Sequence, residues 1–322
     1  MSDRSGPMPP PVNLSVKLGK LELVNPIMVA SGTFGWGQEF ARILGFRNAD
    51  LGAIVLKGTT LEPRAGNLTP RIVETAGGAG ILNSIGLENP GVKTVIEKYL
   101  PQLSDVKPKV IANVAGATVE EYCEVVRHFN DAPNIAAIEL NISCPNVKAG
   151  GMAFGCDPVE CAAVVAPARK CTGLPLIVKL TPNVTDIRTV ARAAIESGAD
   201  ILSLINTLTG VAVDVRTRKP ILGNVAGGLS GPAIKPVALA KLLEVHRMLR
   251  QMERDVPLIG MGGIACAEDA LEFMVTGARA IAVGTILFRD FSVPAVMLRD
   301  MVQWCVDLGV DDVNDLVGTV KL

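Results

Sequence analysis

The stretch that decides the fold is residues 109–141, KVIANVAGATVEEYCEVVRHFNDAPNIAAIELN. It opens with one apolar run, Lys109–Val114, and ends with another, Ala136–Asn141. Between the two runs, apolar residues recur at helical spacing at Val119, Tyr122, Cys123 and Val126. Because both runs are continuously apolar and do not alternate, the stretch predicts a strand, a helix and a second strand of a parallel sheet with both faces covered.

The same unit recurs along the chain and gives eight predicted strands. They are Leu23–Ala30, Ala53–Lys57, Lys109–Val114, Ala136–Asn141, Leu176–Leu180, Ile201–Asn206, Pro257–Met261 and Ala280–Val283. Eight repeats favour a closed α/β barrel, the TIM (β/α)8 fold, over the alternative of an open doubly wound sheet. We therefore expect a single barrel domain over residues 13–322. A flexible tail is expected at residues 1–12, which hold four prolines and no apolar centre.

The composition argues against several classes of function, namely nucleic-acid binding, membrane anchoring and metal binding. Lys plus Arg number 31 against 32 Asp plus Glu, and aromatic residues make up 4%, which argues against a dedicated nucleic-acid binder. No uncharged apolar run approaches the roughly 18 residues of a membrane span, and the first residues do not fit a secretory signal. We therefore expect a cytoplasmic protein without a membrane anchor. The seven cysteines include no CxxC pair, which indicates free thiols and no metal site.

Polar residues cluster at the carboxyl ends of the predicted strands. They are Ser31, Lys57, Asn113, Asn141 with Cys144, Lys179, and Asn206 with Thr207. In a barrel these ends share one mouth, so the pattern predicts a site for a planar polar ligand. Two long connections, residues 58–90 and 208–232, should lie at the same rim, and the glycine-rich loop at residues 143–158 is expected to close as a lid.

Glycines mark the ends of the last two predicted strands. Gly262 and Gly263 follow the seventh strand, and Gly284 with Thr285 follows the eighth. Barrels often hold a phosphate between these two loops, because backbone N–H groups can approach the anion there. The pattern therefore predicts one ligand phosphate.

The candidate base is found by comparing the titratable residues near the rim. Both histidines, His128 and His246, fall in amphipathic segments and are expected to be structural. Lys57, Lys179 and Cys144 remain at the rim. A free cysteine has a pKa of about 8.5, close enough to working pH to accept a proton after modest tuning. Cys144 is therefore the predicted base, and the other six cysteines are expected to be structural.

Several longer strings carry a family resemblance. They are ASG at 30–32, LKGTT at 56–60, LEPR at 61–64, NSIGLENPG at 83–91, NISCPN at 141–146 and GGLSG at 227–231. In this order, from about Leu14 to Leu287, they resemble the dihydroorotate dehydrogenases. Cys144 followed by VKAGGMAFG at 147–155 resembles the class 1B catalytic subunit. The membrane-associated class uses a serine base and carries an N-terminal helical extension, and the chain shows neither feature.

The resemblance implies a cofactor and a substrate site. One FMN per chain would contact Ala30, Ser31 and Lys57. The resemblance implies no role for the next residue, Gly58. Further contacts would come from Asn113, Asn141, Lys179, Ser230 and Gly231, and the phosphate would lie on Gly262, Gly263, Gly284 and Thr285. Dihydroorotate would be held by Lys57, Asn83, Gly86, Leu87, Asn141, Asn206 and Thr207. Cys144 would take the C5 proton while the hydride passes from C6 to FMN, which gives orotate for pyrimidine (UMP) biosynthesis.

The resemblance also implies partners. The chain has neither a GxGxxG fingerprint nor the cysteine spacing of an iron–sulfur cluster. Class 1B would supply these functions on a separate subunit that carries FAD and a 2Fe-2S cluster and reduces NAD, in a heterotetramer built around a catalytic homodimer. Three alternatives stay open: a class 1A fumarate-dependent enzyme, a flavin-free phosphate-binding barrel lyase or isomerase with Lys57 or Lys179 as its nucleophile, and a non-catalytic binding barrel.

Overall fold

The structure, a computed structural model, describes residues 12–39, 48–142 and 154–322. Within these residues the strands are β1 (Val16–Leu18), β2 (Leu21–Leu23), β3 (Ile27–Val29), β4 (Ala53–Val55), β5 (Ile72–Glu74), β6 (Ile81–Asn83), β7 (Lys109–Val114), β8 (Ile135–Asn141), β9 (Leu176–Leu180), β10 (Ile201–Leu204), β11 (Leu208–Val211), β12 (Val213–Asp214), β13 (Lys219–Pro220), β14 (Ala226–Ser230), β15 (Leu258–Met261) and β16 (Ala280–Val283). The helices are α1 (Val92–Thr94), extended by further helical turns to Leu103, α2 (Val119–Asn130), α3 (Pro158–Arg169), α4 (Ile187–Glu196), α5 (Lys235–Gln251), α6 (Ala267–Thr276) and α7 (Val293–Leu308).

Eight of the strands form a closed barrel. Their order around it is β3, β4, β7, β8, β9, β10, β15 and β16, and every neighbouring pair is parallel. The last strand pairs with the first, which confirms the TIM-barrel prediction and rules out the open sheet. Residues 1–11 of the predicted tail lie outside the described residues, and the division into tail and single domain stays a prediction.

The predicted first strand, Leu23–Ala30, is wrong as one element. The structure divides it into β2, which pairs antiparallel with β1, and β3, which belongs to the barrel. The break falls at Asn25 and Pro26, because proline has no backbone N–H for a sheet and the Asn25 Oδ1 accepts from the backbone N–H of Ile27 at 3.0 Å. The predicted second and sixth strands each end two residues early, at Val55 and Leu204.

The two long connections meet at the carboxyl rim, as predicted. β5 and β6 from the first connection join β14 and β11 from the second in a four-stranded antiparallel sheet, which we call the rim sheet. β12 and β13 form a short hairpin beside it. The rim sheet therefore ties the loop after β4 to the loop after β10 across the barrel mouth.

The helices cover the barrel with their apolar faces. On α2, the buried side chains include Tyr122, Cys123 and Val126, as the helical spacing predicted. Cys161 and Cys305 are buried on α3 and α7, and burial raises the pKa of the Cys161 thiol to about 12. A thiol of this kind is packed as a small apolar side chain. None of the helices in the described residues is long and apolar enough to span a membrane.

A glycine-to-alanine pair tests the packing at the start of the barrel. The Gly52 N–H donates to the Ile27 carbonyl at 2.7 Å, and a Cβ on Gly52 would lie 2.1 Å from the Asn25 carbonyl oxygen. Since both are backbone contacts, Gly52→Ala must displace the start of β3, and we expect it to lower the free energy of unfolding by about 3 kcal/mol. Gly173→Ala is the matched control, because no atom lies within 4 Å of its Cβ position. Urea denaturation measures both variants, and equal midpoints would contradict this packing.

Candidate active site

A cavity of about 440 Å3 opens at the carboxyl mouth of the barrel. A volume of this size suits a small-molecule site. Its walls come from residues 30–33, 57–58, 141, 179, 205–207, 261–265 and 284–286, and from residues of the rim sheet and its loops. Seven barrel strands thus contribute to one cavity, either directly or through the loop that follows.

Most of the site residues predicted from the sequence lie in the walls of this cavity. They are Ala30, Ser31, Lys57, Asn83, Gly86, Leu87, Asn141, Lys179, Asn206, Thr207, Ser230, Gly231, Gly262, Gly263, Gly284 and Thr285. Asn113 does not line the cavity but is fully buried beneath its floor. Cys144 lies outside the described residues, as do residues 143–153 of the predicted lid.

Two ammonium groups line the cavity, whereas the Glu88 carboxylate in its lining is already paired with Arg71. The ammonium groups are those of Lys57 and Lys179, and the Lys179 side chain is buried. Within the described part of the chain, neither ammonium has a hydrogen-bond acceptor or an acidic partner. A buried cation without a partner is unfavourable, so the cavity is suited to a ligand that brings negative charge or carbonyl oxygens.

A buried polar cluster lies under the cavity floor, and two of its members were missed by the sequence prediction. The carboxylate of Glu139 accepts from Asn113 Nδ2 at 2.6 Å and from Ser203 Oγ at 2.8 Å. All three residues are at most 1% exposed. The one sequence signal was a carboxylate inside the apolar run IAAIEL at 135–140. We call Asn113, Glu139 and Ser203 the floor cluster.

The glycines predicted to hold a phosphate lie on adjacent loops. Gly262 and Gly263 have φ of 125° and 79°, which favour glycine, and a Cβ on Gly263 would lie 2.9 Å from the backbone nitrogen of Lys235. The loop therefore packs directly against the start of α5. On the next loop, Thr285 Oγ1 donates to Ser230 Oγ at 2.8 Å. These contacts bring loops of three different strands together where an anion would lie.

Asp269 holds the glycine loop in place from α6. Its Oδ2 accepts from the backbone N–H groups of Ala265 at 2.8 Å and Cys266 at 3.2 Å, and its Oδ1 accepts from Lys235 Nζ at 2.6 Å. Burial acts to raise the pKa of Asp269, but the Lys235 ammonium and the Ala265 N–H outweigh it and hold the pKa below its usual value. Lys235 also pairs with Glu272, so its charge is already neutralised and is not available to a ligand anion.

The rim loop at residues 85–87 is held in a strained conformation. Leu87 has φ of 58°, and a Cβ on Gly86 would lie 2.6 Å from the backbone nitrogen of Asn67. The Asn67 N–H donates to the Ile85 carbonyl at 3.0 Å. Asn83 Nδ2 donates to the Gly228 carbonyl at 3.3 Å and so joins this loop to β14. Strain of this kind, fixed by neighbouring backbone, is common at ligand sites.

A closed barrel with such a cavity and paired glycine loops is typical of TIM-barrel enzymes that bind phosphorylated ligands. A family model described as dihydroorotate dehydrogenase matches residues 13–303. The catalytic subunit of dihydroorotate dehydrogenase B (NAD(+)) from Desulforamulus reducens is 51% identical over 97% of this chain and 99% of its own length. The proteins of the same name from Desulforudis audaxviator and Pelobacter propionicus are each 50% identical, over 95% and 96% of this chain and over 97% and 99% of their own lengths. The chain belongs to the dihydroorotate dehydrogenase family, whose members are oxidoreductases.

The Asp269 contacts predict a pH-dependent stability. Because the folded pKa of Asp269 is depressed, its stabilisation is present above its usual pKa of 3.8 and is lost as the pH falls through the lower folded value. We expect Asp269→Asn to lower the free energy of unfolding by about 1 kcal/mol at pH 7, with a difference that shrinks below pH 3.8. Chemical denaturation at a series of pH values measures this. Asp300→Asn removes an exposed pair with Arg299 and is the control, expected within about 0.5 kcal/mol of wild type. A D269N protein as stable as wild type at pH 7 would contradict the role given to Asp269.

Proposed function

We propose that this chain is the catalytic subunit of an NAD-linked dihydroorotate dehydrogenase, which oxidises (S)-dihydroorotate to orotate in pyrimidine biosynthesis. The observation that carries the proposal is the cavity itself, where Lys57 and Lys179 meet the amides of Asn83, Asn141 and Asn206. The family match and the near full-length relatives support the same reaction. The flavin-free lyase or isomerase is not favoured, because the chain belongs to a dehydrogenase family.

FMN, one per chain, is the cofactor that we propose for this cavity. The residues present fit it: the buried Lys179 lacks a partner among the described residues, and the glycine loops converge where a phosphate would lie. Gly262, Gly263, Gly284 and Thr285 would hold the phosphate. Ala30, Ser31, Lys57, Asn141, Lys179, Ser230 and Gly231 would surround the rest of the cofactor. FMN supplies the hydride acceptor, which amino-acid side chains do not offer.

The substrate is proposed to lie among the amides and Lys57. Dihydroorotate carries a carboxylate and a ring edge of alternating donors and acceptors, and an asparagine side chain offers both a donor and an acceptor. Asn83, Asn141 and Asn206 would therefore form hydrogen bonds with the donors and acceptors on the edge of the ring. Lys57 would bind the carboxylate, and the backbone of Gly86 and Leu87 would close the site from the rim.

Cys144 is the proposed base, on sequence grounds alone. It follows β8 by three residues, and Asn141 at the end of that strand lines the cavity. Removal of the C5 proton requires a group that is unprotonated near neutral pH, which a tuned thiol can supply. Among the described cysteines, Cys156 makes the best comparison, because its side chain is exposed and is expected to be structural.

The electrons are proposed to leave through a partner. The relatives are named as catalytic subunits of NAD(+) enzymes, which implies a separate electron-transfer subunit in those proteins. For this chain we propose a subunit that carries FAD and a 2Fe-2S cluster, in a heterotetramer around a catalytic homodimer in the cytoplasm. The fumarate-dependent class 1A enzyme is not favoured, since the relatives' names specify NAD(+).

The absorption spectrum tests the proposed reaction. The purified chain should be yellow with bound FMN, and anaerobic dihydroorotate should bleach it, because electrons then reside on the flavin. Addition of the cognate NAD-linked subunit with NAD should restore the colour, whereas fumarate should not. A colourless protein that gains no flavin on incubation with FMN would overturn the proposal. Reoxidation by fumarate alone would instead indicate class 1A.

Substitution of Cys144 tests the base. We expect Cys144→Ala to slow the bleaching by dihydroorotate by on the order of 10² to 10⁴ at neutral pH, since general-base catalysis contributes that much. Cys144→Ser should be slow and recover at high pH, because a hydroxyl loses its proton far less readily than a thiol. Stopped-flow absorbance from pH 6 to 10 measures both variants, with Cys156→Ala as the matched control. Wild-type rates for C144A at neutral pH would show that the base is elsewhere.

A further inference from the structure

The floor cluster contains a carboxylate that the proposed reaction does not use. Glu139 lies on β8, two residues before Asn141, so the two side chains point to the same side of the strand. Asn141 lines the cavity, which places Glu139 one layer beneath it. On the neighbouring strand β9, Lys179 is the register partner of Asn141 on β8 and of Ser203 on β10, so it lies beside the floor cluster and also lines the cavity.

Burial of a carboxylate is costly, which makes its presence here informative. Glu139 is 1% exposed and, among the described residues, forms two hydrogen bonds and no ion pair. An apolar side chain of similar volume at such a position is often neutral or stabilising. Packing alone therefore gives no reason for a carboxylate in this layer.

The hydrogen bond from Asn113 to Glu139 fixes the direction of an amide. Since Nδ2 of Asn113 is turned to the carboxylate, its Oδ1 faces away, and this buried oxygen has no hydrogen-bond partner among the described residues. It lies 3.0 Å from the Cβ position of Gly58, a residue that lines the cavity. Only Gly58 therefore lies between the unpaired Oδ1 of Asn113 and the cavity. Because both oxygens of Glu139 are acceptors, the opposite orientation of the Asn113 amide would be repelled.

We propose that Glu139 is a positioning residue for the flavin: its carboxylate holds Asn113 with Oδ1 toward the cavity floor and places a negative charge near Lys179, whose register partner Ser203 donates to that carboxylate. The first effect orients Asn113 Oδ1 so that it can accept a hydrogen bond from an N–H group of the flavin ring. The second opposes the build-up of negative charge on the reduced cofactor and so lowers its midpoint potential. This inference rests on the proposed function, because the flavin is the ligand on which Glu139 would act.

Two substitutions separate the two effects. Glu139→Gln removes the charge but keeps an oxygen that can accept from Asn113 and an amide N–H that can donate to Ser203. We expect its FMN midpoint potential to move in the positive direction. Glu139→Asp keeps the charge but is one methylene shorter and cannot hold Asn113 in the same way. We expect its FMN dissociation constant to rise about tenfold, as when one charge-assisted hydrogen bond is lost.

The experiment measures FMN binding to the apoprotein by flavin fluorescence and the midpoint potential by anaerobic dye equilibration. Glu124→Gln, on the exposed face of α2, is the control and should match wild type in both. A merely structural role for Glu139 would lower the unfolding temperature of both variants and leave the potential unmoved. A wild-type potential in E139Q, or a wild-type dissociation constant in E139D, overturns the inference. If either variant does not fold, the other still decides.

Failure of the proposed function would look different. In that case the wild-type apoprotein would itself bind no FMN, or dihydroorotate would not reduce the bound flavin, and both proposals would fall together. If only this inference is wrong, the wild-type protein will bind FMN and will be bleached by dihydroorotate. The Glu139 variants will then have the same FMN dissociation constant and the same midpoint potential as wild type.

Discussion

The closure of the barrel by β16 onto β3 is the constraint on which the site depends. The Ala30 N–H donates to the Val283 carbonyl at 2.8 Å, and the Ile281 N–H donates to the Pro26 carbonyl at 2.9 Å. Because all eight strands are parallel, this closure turns every carboxyl end toward one mouth. Ala30 and Gly284, more than 250 residues apart in the chain, thereby become neighbours in one cavity wall, with 3.6 Å between Ala30 Cβ and the Cβ position of Gly284.

Two further sets of contacts give the mouth its shape. The rim sheet joins the connections that follow β4 and β10, so that Asn83 and Gly228 face the same cavity. On the other side, Asp269 ties the glycine loop to α5 and α6 through Lys235 and Ala265. The cavity therefore lies between the rim sheet and the Asp269 contacts. Hydrogen bonds of this kind preorganise a binding site for its ligand.

The sequence predicted the barrel and most of the cavity wall because both depend on local patterns. Continuous apolar runs identified the strands, and polar residues at the carboxyl ends of most runs identified the mouth, as with Lys57 and Lys179. The floor cluster could not be predicted in the same way. The contact between Glu139 and Ser203 joins β8 to β10 across β9, and this depends on strand register and tilt, which periodicity does not reveal. The break at Pro26 was visible in the sequence, but the apolar residues on both sides of it concealed the change of partner strand.

In the reaction that we propose, a flat pyrimidine lies between the flavin and the Cys144 thiol, and loses a proton to the thiol and a hydride to the flavin. The most direct measurement is a crystal structure of the chain with FMN and orotate. We expect the phosphate of FMN to lie on the backbone of Gly262, Gly263, Gly284 and Thr285, and the sulfur of Cys144 to lie against the face of orotate that is turned away from the flavin. A sulfur turned away from the pyrimidine, or on the same face as the flavin, would contradict it.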